Sequence, residues 1–315
     1  MNENIRIFSG SSHTELAEKI CQQLGVPLGK IKRSRFKSGE IYVNYEEGIR
    51  NCDVYLVQSF SHPINDHLFE LLIMIDAAKR ASARTVNLVI PYFGYSRLVE
   101  KTAPREPISA KLVADLISAT GANRVVTVDF HAAATQGFFN IPVDHLTALD
   151  LFYKYIESKQ IVNPIIVSPD PGRATTAEKL ANHLDYPYSI IVKKRNEQQA
   201  TLTEVIGDVK DRTPIIIEDM IDTGSTMFKV VEALKERGAN DAYVCATHPV
   251  FSANALEILN HPNIKEVVVT DSVPLPMGVK TDHINVISVS ELLAQAIRIN
   301  MEGGSVSQLF TIKRV

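Results

Sequence analysis

Short apolar runs, each the length of one strand and separated by helical stripes, constrain this chain more than any other feature. They are Val54 to Val57, Val86 to Ile90, Val125 to Val128, Ile165 to Val167, Ile190 to Val192, Ile215 to Ile217, Tyr243 to Ala246 and Val267 to Val269. Most are continuous rather than alternating, as expected of parallel strands covered on both faces. Between them, Leu68, Leu71, Leu72 and Ile75 repeat the spacing of an amphipathic helix. So do Ala177, Leu180, Ala181 and Leu184, then Met227, Val230, Val231 and Leu234, then Val289, Leu292, Leu293 and Ala296. Strand alternating with helix predicts an α/β fold built on mainly parallel sheets flanked by helices.

A chain of 315 residues exceeds one typical domain. Asp53 to Ser59, a loop, a helix and Ala83 to Pro91 match Thr213 to Asp219, a loop, a helix and Gly238 to Pro249 in order and spacing. This weak repeat predicts two similar domains made by tandem duplication, residues 1–148 and 149–302, with the tail 303–315 joining the first. The boundary is placed near Leu149, after Pro142 and before a helix at Asp150 to Ile156. The first copy offers Gln58, Ser59 and Phe60 where the second has acids, so the halves cannot share one chemistry.

Apolar content of 45% with 22% charged residues excludes a disordered chain, and a net charge of -3 provides no basic field for nucleic acid. Cys21, Cys52 and Cys245 are widely spaced and form no metal or disulfide pattern, which suits a cytoplasmic protein with reduced thiols. Met1 to Gly10 carries charges and only a short apolar stretch, so neither a signal peptide nor a membrane span is expected there.

Chemistry concentrates first at Pro214 to Thr226. The strand Ile215 to Ile217 ends at two acids, Glu218 and Asp219, and Asp222, Thr223, Gly224, Ser225 and Thr226 then open a helix. Ligands of open α/β sheets bind beyond the carboxyl ends of strands. Hydroxyls and successive N–H groups at a helix start can wrap a phosphate, while the acids can hold a metal or ligand hydroxyls. The same residues also suit an ordinary capped helix. In its spacing the segment resembles the phosphoribosyl-diphosphate (PRPP) motif of the type I phosphoribosyltransferase fold.

A second constellation follows Val125 to Val128. If the strand continued, Asp129 and His131 would share one face and could bind a divalent ion or a polyphosphate; a buried His bonded to Asp is the alternative. Phe36 to Glu40 lies in a turn-like basic stretch, and Pro91 to Ser109 is a long loop carrying Arg97, Lys101 and Arg105.

With Glu70 to Asp76, Ile108 to Val113, Asp129 to Ala132, Gln136 to Asp144, Ser168 to Asp170, Gly207 to Arg212, Asp219 to Gly224, Thr247-His248 and Ser305 to Ser307 added, nearly the whole chain resembles the ribose-phosphate diphosphokinase (PRPP synthetase) family. The resemblance implies Mg²⁺-dependent transfer of the β,γ-diphosphoryl group of ATP to the anomeric hydroxyl of ribose 5-phosphate. By similarity, Asp222 to Thr226 hold the 5-phosphate and Glu218 and Asp219 face the ribose hydroxyls. Asp170 holds Mg²⁺, with Asp129, His131 and Asp144 as further metal-associated positions. Arg97 and His131 meet the ATP phosphates, Phe36 and Glu40 reach the nucleotide of a neighbouring subunit, and Lys193 and Arg195 neutralise transition-state charge. Arg50, Ser82, Ser305 and Ser307 match allosteric positions between subunits, and a hexamer of dimers is implied, with no nucleic-acid or membrane partner.

The chain departs from the family pattern at Lys37, Ser38, Leu98, Val99, Thr102 and Asn140, and in the diphosphate loop. There the usual Pro-Asp-x-Gly-Gly reads Pro169-Asp-Pro-Gly-Arg-Ala-Thr175, so Arg173 stands at the second glycine. Two other functions stay open: a PRPP-using phosphoribosyltransferase, which would share Asp219 to Thr226, and a synthetase-like subunit that restrains an active paralogue, which Leu98, Val99 and the altered Pro171 to Thr175 loop suggest.

Overall fold

Parallel strands must be joined by crossovers long enough to hold a helix, and the computed structural model contains such sheets twice. It describes residues 4–195, 201–276, 278–279 and 282–309, with only the backbone of 193–195, 201–203 and 308. The chain divides into two units. One runs to Thr147 and takes in Ser272–Pro274 and the segment beginning at Ser288; the other comprises Ala148–Asp271 and Leu275–Ile287.

The first unit holds β1 (Ile5–Ser9), α1 (Thr14–Leu24), β2 (Ile31–Arg35), β3 (Ile41–Tyr45), β4 (Asp53–Val57), α2 (Ile64–Arg80), β5 (Thr85–Ile90), α3 (Ser109–Thr120), β6 (Arg124–Val128) and β7 (Val143–Leu146). Its sheet has the order β1-β4-β5-β6-β7, parallel throughout, and β2 and β3 form a separate antiparallel pair. Phe8, Leu56, Leu71, Met74, Ile75, Leu88 and Ile90 are fully buried in its core. Side chains of that size are worth about 1.5–3 kcal/mol each when removed from water.

The second stretch of chain supplies α4 (Leu149–Lys159), β8 (Pro164–Ser168), α5 (Ala174–Leu184), β9 (Tyr188–Arg195), β10 (Thr201–Ile206), β11 (Thr213–Ile221), α6 (Ser225–Glu236), β12 (Ala242–Pro249), α7 (Ala255–Leu259), β13 (Ile264–Thr270), β14 (Ile284–Ile287) and α8 (Ser290–Met301). The sheet order is β10-β9-β8-β11-β12-β13-β14, with only β10 antiparallel to its neighbour. Ignoring the β9–β10 ribbon, β8-β11-β12-β13-β14 repeats the order of β1-β4-β5-β6-β7. The βαβ units β4-α2-β5 and β11-α6-β12 fall at matching places, as the internal repeat requires. Every apolar run read from the sequence lies within a strand.

The closing helices are exchanged. α4, which follows β7 in the chain, packs with α5 of the second unit, whereas α8, which follows β14, packs on α1 of the first. The sequence reading assigned 149–302 to one domain, but α8 buries Leu293, Ala294, Ala296 and Ile297 as part of the first unit. Arg298 Nη2 donates to the carbonyl of Gln23 at 2.9 Å, and Asn300 Nδ2 donates to Asp144 Oδ2 at 2.7 Å. Of the expected tail, residues 310–315 lie outside the described residues. Among the described residues no helix is long and apolar enough to cross a membrane.

Asp144 is therefore a fastening of this fold. Only 4% exposed, it accepts from Arg124 Nη1 at 2.9 and 3.0 Å as well as from Asn300. Protein donors hold both oxygens, which fits a structural ion pair linking β6, β7 and α8 rather than the expected metal-associated role. Asp144→Asn leaves the partly buried Arg124 without its carboxylate and is expected to cost about 1–3 kcal/mol. A lowered urea midpoint in equilibrium unfolding checks this; an unchanged midpoint contradicts it.

Candidate functional site

β11 is a central strand whose first five residues are buried, and its pairing with β12 carries it through the acids to Ile221. The chain then turns over Asp222 and Thr223 to Gly224, the residue that precedes α6. Gly224 has φ 78 and ψ -10, a left-handed conformation that glycine adopts without strain. A Cβ there would also meet Ile258 Cγ2 at 3.1 Å.

No side chain of Gly224 can cap α6, so the ordinary side-chain cap at that position is absent; the closest substitute is Ser225 N–H to Thr223 Oγ1 at 3.4 Å. The turn is held from behind. Ser252 Oγ donates to Asp222 Oδ1, and Ser252 N–H donates to the Asp222 carbonyl at 3.0 Å. Thr223 and Ser225 are exposed with their hydroxyls 3.0 Å apart, and Thr226 is half-buried beside them. Exposed hydroxyls ahead of an open helix start, where the macrodipole is positive, have the chemistry to accept a phosphate dianion.

The acid pair stands one step before that turn. Arg173, from the short turn Pro171–Arg173 after β8, reaches both acids: Nε lies 3.3 Å from Glu218 Oε1 and Nη2 lies 2.6 Å from Asp219 Oδ2. The three side chains are 17%, 9% and 2% exposed respectively. Burial, and then the neighbouring Asp219 carboxyl, push the Glu218 carboxyl well above the usual carboxylate range, against the pull of Arg173. Asp170 ends β8 on the same edge, half-buried, with Oδ1 accepting the Arg173 N–H at 3.1 Å. Thr247 and His248, in β12, are buried; His248 pairs in register with Met220.

The matching place in the first unit is sealed. Gln58, fully buried, donates from Nε2 to Glu70 Oε1 at 2.9 Å and to the His67 carbonyl at 3.0 Å, and accepts from Ser12 N–H at 3.1 Å. Ser59 N–H donates to Ser12 Oγ at 2.8 Å. A hydrogen-bonded network of Gln58, Ser12 and the Glu70 carboxylate fills the space where the second unit holds Glu218 and Asp219.

The strand-like alternation expected of Asp129 and His131 does not occur. β6 stops at Val128, and Asp129 has φ 36, so the chain has already left the strand. The reason is Phe130, buried against Phe93, Phe139 and His145, with its N–H donating to His145 Nε2 at 2.9 Å. His131 is exposed and Asp129 half-buried; Arg97 is exposed in the turn after Tyr95, whose hydroxyl donates to Asn65.

The β2–β3 tip displays Phe36, 55% exposed, with its N–H donating to the Glu40 carbonyl at 2.9 Å. Glu40 Oε2 accepts from Ser38 Oγ at 2.6 Å. Arg50 Nη1 contacts Ser82 Oγ at 3.4 Å, and the hydroxyls of Ser305 and Ser307 are 2.9 Å apart. Lys193 and Arg195 lie on β9, in register with Thr203 and Thr201; their side chains, and residues 196–200 of the expected loop, lie outside the described residues.

Among the described residues no three His, Cys, Asp or Glu side chains converge as a metal cage. A hard, half-buried carboxylate such as Asp170 still fits Mg²⁺, which is commonly held by one or two carboxylates, with waters and substrate phosphates completing its shell. Ser252 lies far along the chain from Asp222 and carries no local signal, whereas Arg173 is legible in the sequence as the positive charge of an altered diphosphate loop but its partners are not.

Comparison with known proteins comes down on one family. Residues 5–121 match the family described as the N-terminal domain of ribose phosphate pyrophosphokinase, and residues 193–311 match the phosphoribosyl synthetase-associated domain. The ribose-phosphate pyrophosphokinase of Bacillus cereus is 48% identical over 98% of this chain and 98% of its own length. That of Corynebacterium ammoniagenes is 47% identical with the same coverage. The crystal structure of phosphoribosylpyrophosphate synthetase from Mycobacterium smegmatis, 41% identical, covers 96% of this chain and 100% of its own, with a TM-score of 0.91. With such identity sustained over nearly its whole length, the chain belongs to the ribose-phosphate pyrophosphokinase family.

Proposed function

We propose that the protein is an active ribose-phosphate diphosphokinase, transferring the β,γ-diphosphoryl group of MgATP to the C1 hydroxyl of ribose 5-phosphate to give PRPP and AMP. The observation that carries this reading is the sequence of elements at the end of β11: two carboxylates, a left-handed glycine and an open helix start. Each matches one part of ribose 5-phosphate, the acids its hydroxyls and the helix start its phosphate.

The 5-phosphate is bound by the N–H groups and hydroxyls of Asp222, Thr223, Gly224, Ser225 and Thr226. Glu218 and Asp219 accept from the ribose hydroxyls and fix the ring. The C1 oxygen then forms a bond to the β-phosphorus as the bond from that phosphorus to the α,β-bridging oxygen breaks; the hydroxyl proton passes to solvent and AMP leaves. Arg97 and His131 hold the triphosphate, and Lys193 and Arg195 meet charge as it builds on the transferring oxygens. Asp170 would hold Mg²⁺, with Asp129 and His131 as further metal-associated candidates, and the ion supplies charge neutralisation when bound. Positioning and neutralisation suffice for such a transfer, so no side chain need act as a strong base.

Phe36 and Glu40, displayed on the β2–β3 tip, reach the adenine and ribose of ATP bound to a neighbouring copy, which makes the working form an oligomer, a hexamer by family precedent. Arg50, Ser82, Ser305 and Ser307 are candidates for phosphate or ADP contacts between copies. A soluble cytoplasmic location follows for a protein that feeds nucleotide biosynthesis.

Incubation with ribose 5-phosphate, ATP and Mg²⁺ is expected to release AMP and PRPP in equal amounts, and EDTA to stop both. PRPP consumption in the presence of a free base, with no AMP formed from ATP, would instead mark a transferase. Gly224→Ala forces a side chain into left-handed backbone and against Ile258, a strain of about 1–2 kcal/mol. The Michaelis constant for ribose 5-phosphate is expected to rise about tenfold, with that for ATP little changed; steady-state kinetics checks both.

A further inference from the structure

Glu218 and Asp219 are consecutive on a strand whose pairing continues past them to Ile221. Successive side chains of a strand point to opposite faces. Side chains so placed leave in opposite directions, yet here the two carboxyls meet in a hydrogen bond and share one guanidinium. A sugar diol needs acceptors that stand together.

Arg173 brings them together. It comes from a different strand's loop, and its guanidinium touches one oxygen of each acid, Oε1 of Glu218 and Oδ2 of Asp219. Its own position is fixed at the root, where the backbone N–H bonds to Asp170 Oδ1. Glu218 is held a second time, its Oε1 accepting the Asp219 N–H at 2.8 Å. A planar fork suits this task, since a guanidinium can donate to two carboxylates in fixed geometry whereas an ammonium acts as a point charge. The loop carries this arginine at the second glycine of the Pro-Asp-x-Gly-Gly pattern, so the clamp belongs to this chain's own sequence.

We propose that Arg173 is a positioning residue of the ribose site: its guanidinium clamps Glu218 and Asp219 into the pair that receives the sugar hydroxyls, and thereby sets the affinity for ribose 5-phosphate. The inference rests on the assignment of the acid pair to ribose given under Proposed function. Arg173 acts through the acids, so its loss weakens substrate binding while the diphosphoryl transfer step keeps its own machinery.

The test uses the full-length enzyme with Arg173→Met and Arg173→Lys, read by ribose 5-phosphate titration calorimetry without nucleotide and by AMP-release kinetics. Arg173→Met is expected to weaken ribose 5-phosphate binding about tenfold or more, with kcat within about threefold of the parent. Arg173→Lys recovers part of the loss. In a Glu218→Gln background, where one of the two carboxyls joined by the guanidinium is gone, Arg173→Met costs less than in the parent, a coupling that a merely structural role would not produce. Binding unchanged in Arg173→Met, or kcat falling at unchanged affinity, overturns the proposal. If Arg173→Met does not fold, the lysine variant decides: binding weakened about threefold supports the clamp, and parental binding overturns it. Parent enzyme that binds no ribose 5-phosphate sinks the ribose-site assignment itself, a separate result.

Discussion

Parallel pairing is the constraint on which the second unit depends. Because β8, β11 and β12 run the same way, their carboxyl ends lie along one edge of the sheet, and everything polar in that site leaves from it. Asp170 follows β8, the acids lie in the last half of β11, and His248 is carried on β12. The N–H groups of α6 point back to the same edge, because a helix that follows a parallel strand starts there. The apolar bodies of the strands, buried on both faces, anchor that edge in the core.

Duplication explains the repeated strand order, and divergence explains why equivalent strand ends carry different chemistry. The two sheets share a strand order, yet at equivalent strand ends the second unit places Glu218 and Asp219 whereas the first places Gln58 and Ser59. Gln58 satisfies its hydrogen bonds internally with Glu70, Ser12 and the His67 carbonyl, so the first copy became a packed polar core. In the second unit two acidic side chains take that place, and the Arg173 guanidinium reaches both of them.

Legibility in the sequence followed burial. Strands covered on both faces, such as Ile215 to Ile217 and Val86 to Ile90, announce themselves as apolar runs. β2, with Lys32, Arg33, Ser34 and Arg35, and β7, with Asp144 and His145, are partly polar and were missed; so were β1, β3, β10 and β14. The exchange of α4 and α8 was hidden because an amphipathic stripe says that a helix buries one face, not against which sheet. Gly224 and the open start of α6 were readable because turn chemistry is local. The Asp129–His131 reading failed for the complementary reason: Phe130 drops into an aromatic cluster assembled from distant residues, which ends the strand early. Arg173, Asp144 and Ser252 owe their partners to tertiary contacts that no spacing reveals.

The central claim is that the end of β11 and the start of α6 hold ribose 5-phosphate by its two ends. A crystal structure of the protein with ribose 5-phosphate bound tests it most directly. The phosphate oxygens are expected within hydrogen-bonding distance of the N–H groups of Thr223 to Thr226, and the ribose 2- and 3-hydroxyls on Glu218 and Asp219. A phosphate bound away from α6, or hydroxyls that leave both carboxylates untouched, would contradict it.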